Sequence, residues 1–565
     1  MKRFNRLFSH LLSPDVLLWL YPITLIIPNV ALDITEYSHA LVKITNILLP
    51  AGLYMLLTGL SRNVGRTVLC CLPLAIFAAF QIVLLFLYGE SIIAVDMFLN
   101  VVTTNISEAS ELLGNLAMAI VIVLLIYLLP LIWGIVLMCK SSKADAADVK
   151  TIRRTGIVTA MLGIAMLSVT YCAVPRFNIL RDIFPVNVIH NMITAIQRTE
   201  ATNRYFETSA GFDYKARSCR DNRLKEIYVL VVGETSRADN WQLNGYQRPT
   251  NPRLSHTDNL IYFPKTLSES NTTHKSVPLM LSSVSAETFA DSIYTTKGII
   301  SAFNQAGYRT AWLTNQARNH SFIDFFAREA QVVDYINDDG RHHFDHELIK
   351  PLHEFIENSP SDKMFVVMHT YGSHFNYNER YPADRRRFTP DGASSASVEN
   401  RPQLVNAYDN TIVYTDSLLA DIINVLDSAD CVAGLIYMSD HGEDIFDDRR
   451  ERFLHASPVP TYYQIHVPML LWMSPELREA YPDLYNTAES HRNLNVSSSR
   501  TAFDTMLSMA GVTTRMSDAS KALTERDYVE GRRLYLNDHN EAVPLKGAGL
   551  RDYDYTKLDK NRINY

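Results

Sequence analysis

Five long apolar runs crowd the first third of this 565-residue chain, and they limit its fold more than any other feature. They are "DVLLWLYPITLIIPNVALDI" (15–34), "ALVKITNILLPAGLYMLLTGL" (40–60), "RTVLCCLPLAIFAAFQIVLLFLY" (66–88), "NLAMAIVIVLLIYLLPLIWGIVLM" (115–138) and "GIVTAMLGIAMLSVTYCAV" (156–174). Each approaches the roughly 20 residues that a helix needs to cross a bilayer. Prolines 22, 28, 50, 73 and 130 are tolerable there, because neighbouring helices can satisfy the backbone groups they free. About five transmembrane helices are therefore expected. "MKRFNRLF" (1–8) has the look of a charged leader, but no small-residue cleavage site follows and further spans do, so the first run is expected to remain as a span.

Basic residues set the orientation. Lys2, Arg3 and Arg6, then Arg62 and Arg66, then Lys140, Lys143, Lys150, Arg153 and Arg154 fall in alternate gaps between the runs. The other gaps, "TEYSH" and residues 89–114, contain no Lys or Arg. With the basic gaps in the cytoplasm, everything beyond about residue 175 is expected outside it. The net charge of -7 argues against nucleic-acid binding, which needs clustered Lys and Arg. Cys70, Cys71, Cys139 and Cys172 lie in apolar runs and only Cys219 and Cys431 in polar sequence, so neither a disulfide framework nor a CxxC zinc site is suggested.

Three segments follow from this reading: a membrane domain over 1–175, an amphipathic helix and linker over 176–225, and an extracytoplasmic domain over 226–565. In the middle segment Ile189, Met192, Ile193 and Ile196 recur at helical spacing, which suits a helix lying on a membrane or covering the outer domain. Residues 207–225 are polar, lack periodicity and read as the linker. Beyond them, "IYVLVVG", "RTAWLT", "KMFVVMH", "VAGLIYMS" and "VPMLLWM" are short, apolar throughout and separated by helical stretches. That pattern fits strands of a mainly parallel sheet covered on both faces, and ligands of such sheets gather beyond the strands' carboxyl ends.

At those ends stand Glu234 ("VVGETSRADN"), Asp440 and His441 ("YMSDHGED"), and His369 and His374 ("VVMHTYGSH"), with His455 in "RRERFLHASP". Asp, Glu and His converging from separate strands supply the oxygen and nitrogen ligands of zinc or a similar divalent ion. Singly each has a plainer role; Glu234, for instance, could cap a helix beginning near Thr235. "NTTHKSVPLM" (271–280) offers a hydroxyl that a metal could activate as a nucleophile. It also reads as a helix N-terminus with Asn271 or a Thr as cap and the first turn near Lys275. Chemistry alone leaves Thr272 and Thr273 both open.

"VLVVGETSRADNWQLNGYQRPTNP", "TTHKSVPLM", "NAYDNTIVYTD" and "YMSDHGE" together resemble the lipid-linked phosphoethanolamine transferases of the alkaline phosphatase superfamily, which include the mobile colistin-resistance enzymes. The resemblance extends over nearly the whole chain and implies a multi-domain protein: about five helical spans in the bacterial inner membrane followed by a periplasmic α/β/α domain with a mainly parallel sheet. It implies transfer of phosphoethanolamine from phosphatidylethanolamine to an envelope acceptor, lipid A or lipopolysaccharide core, through a phosphoethanolamine-threonine intermediate. Thr273 is then the nucleophile, and Glu234, Thr273, Asp440 and His441 are the ligands of one tightly held zinc ion, with a second ion possible. His374 and His455 match catalytic histidines, and His369 a substrate-contacting position. His320 stands where the family has a substrate-binding Lys. In "NVVTTNISE", Asn100, Thr104 and Glu108 at i, i+4, i+8 match residues that hold the ethanolamine headgroup, an ammonium suited to a carboxylate. A monomer is expected. An ammonium added to lipid A would weaken the binding of cationic peptides such as polymyxin.

One departure is the text "SESNTT", which lacks the family's Cys shortly before the nucleophile. Three alternatives compete. A sulfatase would need Cys or Ser before x-Pro-x-Arg, whereas Met280 stands in place of that Arg. A glycerol-phosphate transferase fits the "NxxxTxxxE" stripe less well. A non-enzymatic membrane sensor would be expected to have lost at least one ligand.

Overall fold

The computed structural model describes residues 13–36, 38–88, 92–103, 117–175, 177–220 and 224–565. Contacts divide the chain into two compact units, the larger of which holds Arg198–Tyr565.

In the first unit, α1 (Pro14–Thr35), α2 (Ala40–Thr58), α6 (Ala119–Cys139) and α7 (Ala146–Ala173) are each long and apolar enough to cross a membrane. The third apolar run differs from the expectation of one continuous helix. It forms α3 (Val64–Cys70) and α4 (Leu72–Tyr88), bent by 59°, so among the described residues the helices long and apolar enough to cross a membrane number four, or five if the bent pair counts as one. Pro73 accounts for the break, since it has no N–H and its ring crowds the carbonyl four residues back. A short helix, α5 (Val95–Thr103), follows. The backbones of α2 and α7 approach so closely that a Cβ on Gly163 would sit 2.6 Å from the Leu49 Cα, the small-residue contact by which apolar helices pack when no water is available to drive them together. α8 (Val186–Asn203) carries Ile189, Ile193 and Ile196 exposed on one side and Val188, Asn191 and Ala195 buried on the other.

The second unit is built on seven strands: β1 (Glu226–Gly233), β2 (Leu260–Tyr262), β3 (Arg309–Thr314), β4 (Val332–Tyr335), β5 (Lys363–His369), β6 (Val432–Ser439) and β7 (Met469–Met473). Their order is β2-β7-β6-β1-β5-β3-β4. All pairs from β6 through β1, β5 and β3 to β4 are parallel, whereas β7 runs antiparallel to both β6 and β2. The sheet is mainly parallel, as the unbroken apolar runs imply. β2 and β4 have no such run and escape a sequence reading: β2 is three residues long, and β4 ("VVDY") is an edge strand that exposes Val333.

β1 shows why these strands lack alternation. Tyr228, Leu230 and Val232 enter one core, and Ile227, Val229 and Val231 the other, so both faces are buried under helices. α9 (Thr273–Leu281) contributes Val277, Leu279, Met280 and Leu281 to the first core, and α10 (Arg401–Asp427) contributes Leu404, Tyr408, Ile412 and Leu419 to the second.

Part of the stretch read as a linker belongs to this fold. Arg217–Ser218 pairs antiparallel with Val512–Thr513, and Tyr214 is a core residue, as is Tyr205 just before that stretch. The Tyr205 ring stacks on Phe325 at 5.1 Å, and its hydroxyl donates to the Thr296 carbonyl at 2.9 Å. Isolated aromatic residues in a polar stretch carry no periodicity, so only their burial reveals them. Tyr205→Ala is expected to cost the second unit about 3–5 kcal/mol. Denaturant unfolding followed by tryptophan fluorescence checks this; an unchanged midpoint would contradict a core role for residue 205.

Candidate active site

Strand register brings the site together. Gly233 pairs with Ser439 and Val232 with His369, so the next residues out of β1 and β6, Glu234 and Asp440, emerge side by side, with the last residue of β5 beside them. Glu234, Asp440 and His441 are all buried, and each offers a ligand atom within 4.8 Å of the others. No helix begins at Thr235 for Glu234 to cap. Thr235 takes a left-handed conformation (φ 60°), its N–H donates to Asp440 Oδ1 at 3.0 Å, and its hydroxyl donates to Glu234 Oε1 at 2.8 Å.

The structure separates the two threonines. Thr272 is the N-cap of α9 with extended backbone and no side-chain cap bond, and its Oγ1 lies 3.1 Å from Ser270 Oγ. Thr273 is the first helical residue, two positions earlier than the expected first turn, and its Oγ1 lies 3.1 Å from both Glu234 Oε1 and His441 Nε2. Of the two hydroxyls, only that of Thr273 contacts the cluster.

The donor inventory at this point does not balance. His441 Nδ1–H donates to the Gly442 carbonyl at 3.0 Å, which in the neutral ring leaves a lone pair on Nε2. That lone pair faces Asp440 Oδ2 at 3.2 Å and Glu234 Oε1 at 3.4 Å. Among the described residues, Asp440 Oδ2 is buried without a hydrogen-bond partner. Thr273 has one hydroxyl hydrogen for two acceptors. Burial, then the neighbouring Glu234, holds the Asp440 carboxyl well above the usual carboxylate range; burial, then His455, holds the His441 ring well below the usual imidazole range. Oxygen and nitrogen lone pairs converging in a dry site with too few protons are a donor set suited to a divalent cation such as zinc.

The other histidines surround this cluster. His369 is buried, its Nε2 3.9 Å from Glu234 Oε2, with neither ring nitrogen hydrogen-bonded; burial pushes it down to about 4. The His455 ring lies 4.2 Å from that of His441 and 5.7 Å from that of His374, centroid to centroid. His374 Nδ1 donates to the Phe375 carbonyl at 2.8 Å. His320 is not joined to the cluster: it is exposed in a tight turn (φ 54°), its backbone N–H donates to Asp324, and among the described residues its ring makes no hydrogen bond, ion pair or ring contact. From that strand end it is Gln316 that reaches the site, its Nε2 3.5 Å from Glu234 Oε2 and 2.9 Å from the Thr370 carbonyl. Asn100 lies on α5, while Thr104 and Glu108 lie outside the described residues.

Several supporting residues escape the sequence reading. Glu443 is buried, and its Oε2 lies 3.3 Å from His455 Nδ1; burial pushes its carboxyl up to about 8. Its only signal was its place two residues after His441. Asp345 accepts from the N–H groups of Tyr371 and Gly372 at 2.8 and 2.9 Å and from Asn315 Nδ2 at 2.8 Å, fixing the loop between His369 and His374. Gly372 needs to be glycine: its φ is 59°, and a Cβ there would meet the Glu234 carbonyl oxygen at 2.5 Å.

The unbalanced cluster generates a stability prediction. Asp440→Asn keeps the Oδ1 acceptor for Thr235 and His441 and replaces Oδ2 with an N–H donor aimed at His441 Nε2. In chelator, the variant is expected to be more stable than the parent by about 1–3 kcal/mol at pH 8. The sign with pH follows from the raised pKa of Asp440: the folded parent holds a proton that the unfolded chain has released, so parent stability falls as pH rises while Asn does not titrate. The difference should narrow towards pH 4. Thermal melts across pH check it, and a destabilised variant at pH 8 would contradict it.

Residues 226–512, half of the chain, match the Sulfatase family. "Phosphoethanolamine transferase EptA" of Escherichia coli (strain K12) is 34% identical over 310 residues, covering 53% of this chain and 56% of the relative, so the chain spans about half the length of the curated relatives it matches. The solved periplasmic domain of EcEptC from Escherichia coli in complex with Zn aligns with a TM-score of 0.53 at 25% identity, over 59% of this chain and 95% of that one. The integral membrane protein lipooligosaccharide phosphoethanolamine transferase A (EptA) from Neisseria meningitidis aligns with a TM-score of 0.69 at 21% identity, over 91% and 97%, and so shares the fold of both parts. The chain belongs to the Sulfatase family, and its relatives over that domain include proteins named phosphoethanolamine transferases.

Proposed function

We propose that this chain is a phosphoethanolamine transferase of the bacterial inner membrane, with residues 1–175 as the membrane domain, 176–225 as a juxtamembrane segment that merges into the outer fold, and 226–565 as a periplasmic catalytic domain. The observation that carries the reading is the Thr273 hydroxyl at 3.1 Å from both Glu234 and His441, beside an Asp440 oxygen without a hydrogen-bond donor. The names of the relatives supply the group transferred and, through the "Kdo(2)-lipid A phosphoethanolamine 7''-transferase" of Escherichia coli (strain K12), an acceptor class.

Glu234, Thr273, Asp440 and His441 would hold a zinc ion, which when bound lowers the pKa of a coordinated hydroxyl and offsets charge on a transferring phosphoryl group. Thr273 Oγ1 attacks the phosphorus of phosphatidylethanolamine; the new P–O bond forms as the bond to the glycerol oxygen breaks, and diacylglycerol departs with a proton in place of the phosphoryl group. A phosphate or hydroxyl oxygen of lipid A or the lipopolysaccharide core then attacks the same phosphorus, and Thr273 recovers its proton. His374 and His455 are placed to carry protons in these steps, and Glu443 to orient His455 through Nδ1. His369, buried and neutral, backs Glu234. Splitting one displacement into two through a threonine ester is the gain of covalent catalysis. Asn100, Thr104 and Glu108 would receive the ethanolamine ammonium. The isoleucines exposed on α8 suit a bilayer surface.

Mass spectrometry of lipopolysaccharide from cells with and without the gene tests the reading. A phosphoethanolamine increment is expected on lipid A or core only when the gene is present. It should disappear with Thr273→Ala, and a phosphoethanolamine adduct at residue 273 should be trapped in the parent. Purified parent should contain zinc, and Glu234→Gln should lose it. Continued transfer by Thr273→Ala would reject the nucleophile, and an unaltered glycolipid profile would reject the acceptor class.

A further inference from the structure

Asn271, two residues before Thr273, is not a cap but the centre of a directional hydrogen-bond network. It is buried, and its Nδ2 donates to the Ser457 carbonyl at 2.8 Å and to Gln464 Oε1 at 2.7 Å; its Oδ1 accepts from the Tyr535 hydroxyl at 2.7 Å. Its backbone carbonyl accepts from the Ala456 N–H at 3.2 Å. Ala456 and Ser457 directly follow His455. One residue therefore joins the turn that presents Thr273 to the loop that presents His455, through both its main chain and its side chain.

The orientation of the amide is fixed from outside. Gln464 Nε2 faces two acceptors, Asp444 Oδ2 at 2.9 Å and the Leu454 carbonyl at 3.2 Å, so Gln464 must turn Oε1 towards Asn271. Asn271 must then present its amino group to Gln464 and Ser457 and its oxygen to Tyr535. Asp444 Oδ1 is occupied by the Thr461 hydroxyl at 2.8 Å, and Gln464 Oε1 also accepts from Ser457 Oγ at 3.0 Å. The Ser457 hydroxyl has a second acceptor in the Val459 carbonyl at 2.7 Å, but the amides of Gln464 and Asn271 each have one orientation that pairs their donors, and that orientation fixes the network. An aspartate or a leucine of similar size would leave buried carbonyls unsatisfied and release the two loops from each other.

We propose that Asn271 is a positioning residue that sets the placement of Thr273 relative to His455, acting through the Ala456–Ser457 backbone and held in orientation by Gln464 and Tyr535. The inference rests on the reading of Thr273 as nucleophile and His455 as proton carrier. Because it acts on distance rather than on substrate contact, its loss should appear in kcat: a displacement of about 1 Å at a reacting group costs on the order of 10²-fold.

The test uses the full chain in detergent with zinc, phosphatidylethanolamine as donor and lipid A as acceptor. Asn271→Ala is expected to lower kcat about 10²-fold with the donor KM within about threefold of the parent. Zinc content should be unchanged, and hydrogen exchange of the Ala456 amide should be faster. In the double variant Asn271→Ala, His455→Ala, the loss should be no greater than in His455→Ala alone, because both act through one group. Retention of parental kcat, parental exchange at Ala456, or losses that multiply would each overturn the proposal. If Asn271→Ala fails to fold, Tyr535→Phe removes a single hydroxyl from the network, and parental kcat with parental Ala456 exchange in that variant overturns it equally. Should the parent transfer nothing, the functional reading fails, while the Ala456 exchange comparison still decides whether Asn271 ties the loops.

Discussion

The second unit is organised around lone pairs that face each other in a dry space. Glu234, Asp440 and His441 point inward from adjacent parallel strands, with a threonine hydroxyl closing the group. Such an arrangement is unfavourable in itself, since buried acceptors without donors cost free energy. It persists because the sheet over-determines it. In-register pairing of β1 with β5 and β6 fixes the three strand ends, and both faces of β1 are sealed in apolar cores that cannot shift without opening cavities.

Around that group the loops are held by polar contacts as well as by packing, which seats Phe375 and Phe453 in the second core. Asp345 gathers the backbone of the turn after β5, and Gly372 lets that turn pass against Glu234 where no side chain would fit. Asn271 ties the turn before α9 to the segment after His455, and Tyr535 links it to the C-terminal part of the chain. These bonds are directional, so they locate side chains to a few tenths of an ångström. A loop anchored only by apolar contacts would have several near-equivalent placements.

Sequence reasoning saw the strand ends well because parallel strands buried on two faces are apolar throughout and stop abruptly at polar residues. Glu234, His369, Asp440 and His441 stand at those stops. It was weaker where the signal depends on a partner. Gln316 follows β3 as openly as Glu234 follows β1, yet an amide carries less chemical signal in a sequence than the histidine four residues later. The structure leaves that histidine on the surface and puts the glutamine beside Glu234. β2 and β4 are too short or too exposed to show a pattern, and the break between α3 and α4 hides inside one apolar run because Pro73 is tolerable in a membrane helix as well as able to end one.

By itself, the sequence determined the two materials of this chain and the chemical kinds of residue at the strand ends. Hydrophobic length and hydrophobic run pattern are properties of consecutive residues, and they survive without coordinates. Resemblance of motifs to a family chose Thr273 over Thr272, a choice that spacing alone left open. Tertiary structure decided which hydroxyl, which amide and which carboxylate meet: it brought residues 234, 273 and 441 within 3.4 Å and turned Asn271 from a candidate cap into a brace. Those encounters join residues separated by up to 264 positions, and a hydrogen bond at such separation depends on register and backbone direction that no local pattern of residues encodes.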